Sequence, residues 1–434
     1  MPSTTVSRPR AYALLAALAA VPRAVALAHE RGRILAAFTD KDDIFARTLA
    51  HSGTFGFLPG HPSAYTQPLY GFFLAPLYWA LGRRWEVVGA TQIIVAVATA
   101  CVVYEIGRRV VSNGAAVLAA ALATLHPYLI WHDVHVNREI LDQFLAATIV
   151  LLVIVLAERR SFVLAVLLGI ASGLGILGNA RLALFPVVLG AFVLWRVGIS
   201  RQSVGLVATA CVVAAVVVAP WMIRNDASVG CFTVTTDARA LWKANNPNTY
   251  RTLTHGGWID AVPPLPGAPP SPQDAYERYL ATGTLTPTNE CAQMRLYSHR
   301  THAFWLHHPG AKAKLAFLSA QMLWQPSVVE TGGRPGAGTF IDTLRSSSEP
   351  LFVVPLYVLA VAGLFVVGRA FAVLALLIAV YQTAVAMLFV GVTRYRVPWD
   401  FVLCVLASAA LVAAIHRIRD TGRFAAPRRA QVEP

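Results

Sequence analysis

Long apolar runs separated by short basic connections dominate the chain. A helix of about 20 apolar residues crosses a hydrocarbon core roughly 30 Å thick. Such windows predict spans near 11–28, 86–107, 114–131, 140–157, 162–179, 182–198, 203–222, 350–368, 371–391 and 399–416. The pattern therefore predicts an all-α polytopic membrane protein with about ten transmembrane helices, nine to twelve as bounds. The first run is read as an uncleaved span, because Pro22-Arg23 follows it without a small-residue cleavage site. Two apolar stretches fit poorly as spans. Residues 67–82 (QPLYGFFLAPLYWALG) are short, and 310–328 opens with Lys312 and Lys314. Both are expected as external juxtamembrane helices at the interface.

The polar stretch 223–309 is too long for a plain connector and predicts a small external loop domain. Within it, VPPLPGAPPSP (262–272) reads as an extended loop. The expected organisation is then fourfold. Residues 1–222 form an N-terminal transmembrane module with external loops, and 223–349 the external domain with an interfacial helix. Residues 350–416 supply the C-terminal transmembrane helices, and 417–434 a basic cytoplasmic tail.

Composition agrees. Hydrophobic residues make up 56% and charged residues 13%, about half the charged share of soluble domains. The net charge of +14 argues for no nucleic acid, because the basic residues punctuate apolar runs instead of forming one groove. Their distribution fixes orientation instead. Arg8, Arg10, Arg108-Arg109, Arg159-Arg160, Arg196, Arg201, Arg369 and the arginines of the tail fall on one side if both termini are cytoplasmic. With the Ala-rich composition of a high-GC bacterial genome, the expected location is a bacterial inner membrane, with the chemistry on its periplasmic side.

The five cysteines form no C-x-x-C pair. Cys231 and Cys291 share the external segment, where an oxidising compartment would allow a disulfide; two free thiols are the alternative. The other three lie in predicted spans.

Unusual polar residues gather on the outer side. The first loop carries Thr39-Asp40-Lys41-Asp42-Asp43 before the helical pattern IFARTLA. These carboxylates suit a general base or metal ligation, or the capping of that helix, with Thr39 as N-cap. The next outer loop contains His132, His135 and Glu139, whose spacing would place them on one helical face open to a divalent metal. An interfacial polar helix is the alternative for the histidines. Glu139 opens an apolar span, where a carboxylate is costly. Arg181, Arg224, Arg394 and Arg396 lie on the outer side, with Tyr395 between the last two. Guanidinium groups there suit a lipid phosphate, or anchor the chain to anionic head groups.

The chain has no Walker A loop, no G-x-G-x-x-G between strand and helix and no G-x-S-x-G elbow. An external site without a nucleotide needs a donor already in the membrane. A sugar on a lipid phosphate is one.

The stretch from Asp40 through Arg109 resembles the N-terminal signature of the GT-C glycosyltransferases. These membrane enzymes include protein O-mannosyltransferases and the bacterial aminoarabinose transferase of lipid A. The family's acidic first loop precedes a juxtamembrane x-P-P-L-Y helix, matched here by Gln67-Pro68-Leu69-Tyr70 with Gln in place of the first Pro. Similar motifs follow at Asn137-Arg138-Glu139-Ile140-Leu141, Pro220-Trp221-Met222-Ile223-Arg224-Asn225, Asn245-Asn246-Pro247 and Arg394-Tyr395-Arg396-Val397-Pro398. The resemblance covers residues 1–250 and 390–416.

It implies an inverting transfer from a polyprenyl-phosphate sugar to an acceptor hydroxyl, on a glycan, lipid or protein, at the external face. Asp40 is the favoured base, with Asp43 and Asp42 as neighbours. Glu139 orients the acceptor or supports the base. Arg181, Arg394, Arg396 and Tyr395 hold the leaving phosphate, and Arg224 and Asn246 are further candidates. A single leaving phosphate requires no cofactor on charge grounds, although His132, His135 and Glu139 leave a divalent metal open. Membrane lipids surround such a chain. The competing expectation is a transporter or lipid flippase, which would place polar residues near the bilayer midplane. Here the span centres read as nearly pure Ala, Val and Leu, and the halves show no repeat.

Overall fold

The computed structural model describes residues 7–37, 41–257, 259, 265–327 and 340–424. Its first half contains α1 (Arg8–Glu30), α2 (Arg33–Ala37), α3 (Lys41–Ser52), α4 (Pro68–Leu81), α5 (Trp85–Val110), α6 (Asn113–Thr124), α7 (Pro127–His132), α8 (Glu139–Arg159), α9 (Phe162–Gly178), α10 (Phe185–Val197) and α11 (Arg201–Val229). Then come α12 (Arg239–Ala244), α13 (Pro247–Thr254), α14 (Pro272–Thr282), α15 (Glu290–His307), α16 (Pro309–Leu323), α17 (Phe340–Leu364), α18 (Arg369–Leu388) and α19 (Asp400–Phe424). No strand forms among the described residues. The chain is an all-α polytopic membrane protein, as the apolar pattern predicts.

Among the described residues, eight helical stretches are long and apolar enough to cross a membrane. They are Arg8–Glu30, Trp85–Val110, Glu139–Arg159, Ala180–Val197, Arg201–Val229, Ser346–Leu364, Arg369–Leu388 and Thr393–Arg419. At the other two expected positions, 114–131 and 162–179, stand the shorter apolar helices α6 and α9. The expected span 114–131 stops early because Pro127 lacks an amide hydrogen and disfavours helix at the residue before it. His126 is accordingly non-helical (φ −58°, ψ 122°), and α7 starts afresh at Pro127. The juxtamembrane stretches 67–82 and 310–328 become α4 and α16, whose 14 and 15 residues reach only about 21–23 Å.

Close helix packing follows from small residues. A Cβ at Gly169 would come within 2.6 Å of the Ala210 carbonyl oxygen, and one at Gly173 within 2.6 Å of Val217 Cβ. The Gly-x-x-x-Gly spacing on α9 therefore lets α11 lie directly on its backbone.

Charge is not excluded from this core. Arg23, on α1 inside a predicted span, is buried and pairs with Asp133 at 2.7 Å while donating to the Thr124 carbonyl oxygen at 2.9 Å. That carbonyl belongs to the last residue of α6, so the arginine satisfies groups freed by the Pro127 break. The expectation of purely apolar span centres fails here.

Candidate active site

A cavity of about 660 Å³ lies at one end of the bundle, where α3, α8 and α12 begin and α9 and α18 end. Asp42 and Glu139 line it. Asp42 sits in the first turn of α3, where the helix dipole favours a carboxylate, and its Oδ1 accepts from Thr66 Oγ1 at 2.7 Å. Glu139 opens α8, is buried, and stands 3.6 Å from the Arg394 Nε. Its backbone N–H donates to the Asn137 side-chain oxygen at 3.2 Å, which fixes the helix start.

Facing these carboxylates is a stack of cations and rings. The Arg181 guanidinium lies 3.7 Å over the Tyr395 ring and 5.1 Å over Phe389, while Arg394 is 5.1 Å from the Tyr395 ring. Tyr381 donates its hydroxyl to the Arg181 carbonyl oxygen at 2.7 Å and holds that turn. Arg138 donates to Gln67 Oε1 at 2.9 Å. Burial opposes its charge, but Asp142 and Glu139 beside it outweigh that and hold its pKa above the usual arginine value.

The rest of the wall comes from Lys41, Tyr65 and the 235–243 segment. Lys41 pairs with Asp237 at 3.1 Å and lies 4.8 Å over the Tyr65 ring. Arg239 reaches Ser271 at 2.6 Å and Asp274 at 3.2 Å. Burial and the nearby Asp237 push the Tyr65 hydroxyl up to about 12, so it stays protonated and can donate. In all, Lys41, Arg138, Arg181, Arg239, Lys243 and Arg394 line the cavity against Asp42, Glu139 and Asp237. That excess of cations selects an anionic ligand.

Several expected site residues stand elsewhere. Asp40, like Thr39, lies outside the described residues. Asp43 is not in the cavity wall; it is buried and accepts from Tyr78 OH at 2.7 Å and Arg83 Nε at 3.0 Å. Arg396 is turned inward, paired with Asp400 at 3.0 Å and donating to the Gln325 carbonyl oxygen and Tyr357 OH. Asp400 in turn faces His126 at 3.4 Å. Arg224 donates to the Ser63 and Phe55 carbonyl oxygens and ties down the 55–63 loop. Asn246 caps α13, accepting from the Thr249 N–H at 2.8 Å.

The shared helical face of His132, His135 and Glu139 also needs correcting. The chain is non-helical from 133 to 138, so the three are split between the end of α7 and the start of α8. His132 stacks on Tyr128 and meets Asn137, whereas His135 meets the Trp131 carbonyl oxygen at 2.8 Å and Glu30 at 3.5 Å. They do not form a ligand set. Among the described residues no group of three His, Cys, Asp or Glu could hold a metal.

Cys231 and Cys291 meet as a disulfide pair, 5.8 Å between Cα atoms, which fastens the end of α11 to the start of α15. Sequence reading misses Arg138, Lys41, Tyr65, Asp237, Arg239 and Lys243 as cavity residues. Arg138 has a sequence signal, a cation directly before Glu139 at the mouth of an apolar span. The rest lie on loops and short helices whose approach depends on tertiary folding.

Residues 66–223 match the family described as dolichyl-phosphate-mannose-protein mannosyltransferase. That match covers 158 of the 434 residues. The matched segment supplies Thr66, Gln67, Arg138, Glu139, Asn179 and Arg181 to the cavity wall. Asp42 precedes it, and Arg394 and Tyr395 follow it. No curated protein sequence matches the chain. Among solved structures, the chain is similar to the Archaeoglobus fulgidus oligosaccharyltransferase AglB in complex with an inhibitory peptide and a dolichol-phosphate. The identity there is 14% and the TM-score 0.47, over 96% of this chain and 52% of that one. It is also similar to an Archaeoglobus fulgidus oligosaccharyltransferase tethered to an acceptor peptide. That match has 12% identity and a TM-score of 0.49, over 95% and 50% of the two chains. The chain thus spans about half the length of each.

Proposed function

We propose that the chain moves a sugar from a polyprenyl-phosphate donor to an acceptor hydroxyl in the 660 Å³ cavity, with inversion at the anomeric carbon. One observation carries this reading: the carboxylates of Asp42 and Glu139 share a cavity with the Arg181–Tyr395–Arg394 stack, on a segment of GT-C type. The acceptor oxygen attacks the anomeric carbon as its proton passes to a carboxylate of the 40–43 run. The bond from that carbon to the phosphate oxygen breaks, and the phosphate leaves with the electron pair. Arg181 and Arg394 take up its charge. Of the described members of the run, Asp42 lines the cavity; Asp40, two residues earlier, is the other candidate base. The Glu139–Arg394 pair links the acidic wall to the phosphate site, so a bound phosphate would compete for Arg394.

The positive-inside rule supports an external face for the reaction. The cavity lies at the helix ends opposite Arg108-Arg109, Arg159-Arg160, Arg196 and Arg369. The proposal predicts that purified chain binds polyprenyl phosphate, measured by quenching of its tryptophan fluorescence. Arg181→Ala should weaken that binding about tenfold to a hundredfold, the loss of a charge-assisted pair. Equal affinity in the two proteins would remove Arg181 from the phosphate site.

A further inference from the structure

The opposite end of the bundle holds a second charged cavity, of about 170 Å³, that the transfer reaction does not use. Its position follows from three helices that run from the region of one cavity to the other. α8 carries Glu139 into the large cavity and Glu158 into the small one, about 29 Å further along the helix. α10 runs from the Arg181 turn to Arg196, and α18 runs between Gly368 and Phe389 in the same way. The separation equals the thickness of a hydrocarbon core. The small cavity thus sits at the far membrane boundary.

Its wall is amphipathic by register. Arg109, Glu158 and Arg196 lie in the last turns of α5, α8 and α10, while Ile154 and Phe192 lie one turn deeper, as does Leu374 on α18. The carboxylates nearby are already engaged. Glu105 takes Arg108 at 2.7 Å and Arg109 at 3.0 Å, and Glu158 stands 3.7 Å from Arg109. Arg196 makes no hydrogen bond or ion pair among the described residues, so its charge is unanswered. Arg369, beside the cavity, stacks on Trp195 at 5.8 Å and adds a further cation.

We infer that this cavity binds an anionic phospholipid, its phosphate held by Arg196 and Arg109 and the start of an acyl chain lying along Ile154, Phe192 and Leu374. A lipid fits better than a soluble anion because the apolar half of the wall faces the hydrocarbon side of the boundary. An anionic head group fits better than a zwitterionic one because the latter brings its own cation and does not neutralise the unanswered charge of Arg196. The inference is independent of the transfer reaction, since none of these side chains lines the larger cavity.

Native mass spectrometry of the full-length, delipidated chain would test it, with phosphatidylglycerol and phosphatidylcholine titrated separately. The expected result is tight binding of one phosphatidylglycerol and weaker binding of phosphatidylcholine. Arg196→Ala should weaken the former about fivefold. Arg201→Ala, an exposed cation at the same membrane boundary but outside the cavity, should leave it unchanged. Ala370→Trp, which fills the cavity without removing charge, should also block binding. Equal binding of the two lipids, displacement by millimolar inorganic phosphate, or an equal loss in Arg201→Ala would overturn the assignment.

Discussion

Arg394 and Arg396 flank the same tyrosine, yet they have opposite fates. The 3₁₀ turns at Thr393–Tyr395 and Val397–Trp399 leave Arg394 at the cavity and send Arg396 into the core against Asp400. Sequence marks both as outer-side cations. It cannot separate them, because the direction of a side chain on a short irregular turn is set by what packs against it. The same holds for Asp42 and Asp43: the acidic run is legible, but the engagement of Asp43 by Tyr78 and Arg83 is tertiary. Breaking a buried pair by removing one partner costs about 3–5 kcal/mol. Arg396→Ala should therefore lower thermal stability in detergent strongly, whereas Arg394→Ala, half exposed, should lower donor binding with little change in unfolding temperature. The reverse pattern would mean that the two arginines have been assigned wrongly. Asp43→Asn should likewise behave as a stability variant, while Asp42→Asn should keep its unfolding temperature and lose turnover.

At the scale of elements, the apolar runs located most of the helices, and their lengths set α4 and α16 apart from the eight long apolar helices. What they missed was the interruption at Pro127, where an uninterrupted hydropathy window hides a broken helix. That break requires Arg23 and Asp133, buried ions that a window average cannot register. Arg23→Leu should leave Asp133 unpaired and destabilise the chain by about 3–5 kcal/mol; paired with Asp133→Leu, much of that loss should return. A double variant no more stable than Arg23→Leu alone would deny the pair its structural role. On α9, Gly173→Leu should force α9 and α11 apart and reduce the yield of folded protein, because Val217 and the α11 backbone leave no room for a side chain. An exposed glycine with free space, such as Gly114, should tolerate Ala and serves as the comparison.

Over the whole molecule, polarity is sorted by height. One end gathers the acidic wall and the arginine–tyrosine stack, the other a group of basic residues in which Arg196 has no partner among the described residues, and α8, α10 and α18 connect the two. The fold class and the order of the site motifs were legible because hydrophobic length and charge sidedness are local properties. This wall of the cavity was not, because Lys41, Tyr65, Asp237 and Arg239 converge only when the 235–243 segment folds back over the bundle. The Cys231–Cys291 closure should support that folding. Removing it in a double Ser variant should cost about 2–4 kcal/mol, and alkylation before and after reduction should differ by two thiols in the parent.

The central claim is that this cavity transfers a lipid-linked sugar. It is tested most directly by donor turnover in vesicles, with a panel of polyprenyl-phosphate sugars followed by mass spectrometry. The account predicts release of polyprenyl phosphate and a glycosylated acceptor by the parent chain. It predicts a loss of about a hundredfold to ten-thousandfold in Asp42→Asn or Asp40→Asn, whichever holds the base. Undiminished turnover in both variants, or movement of intact lipid between leaflets without sugar transfer, would contradict it.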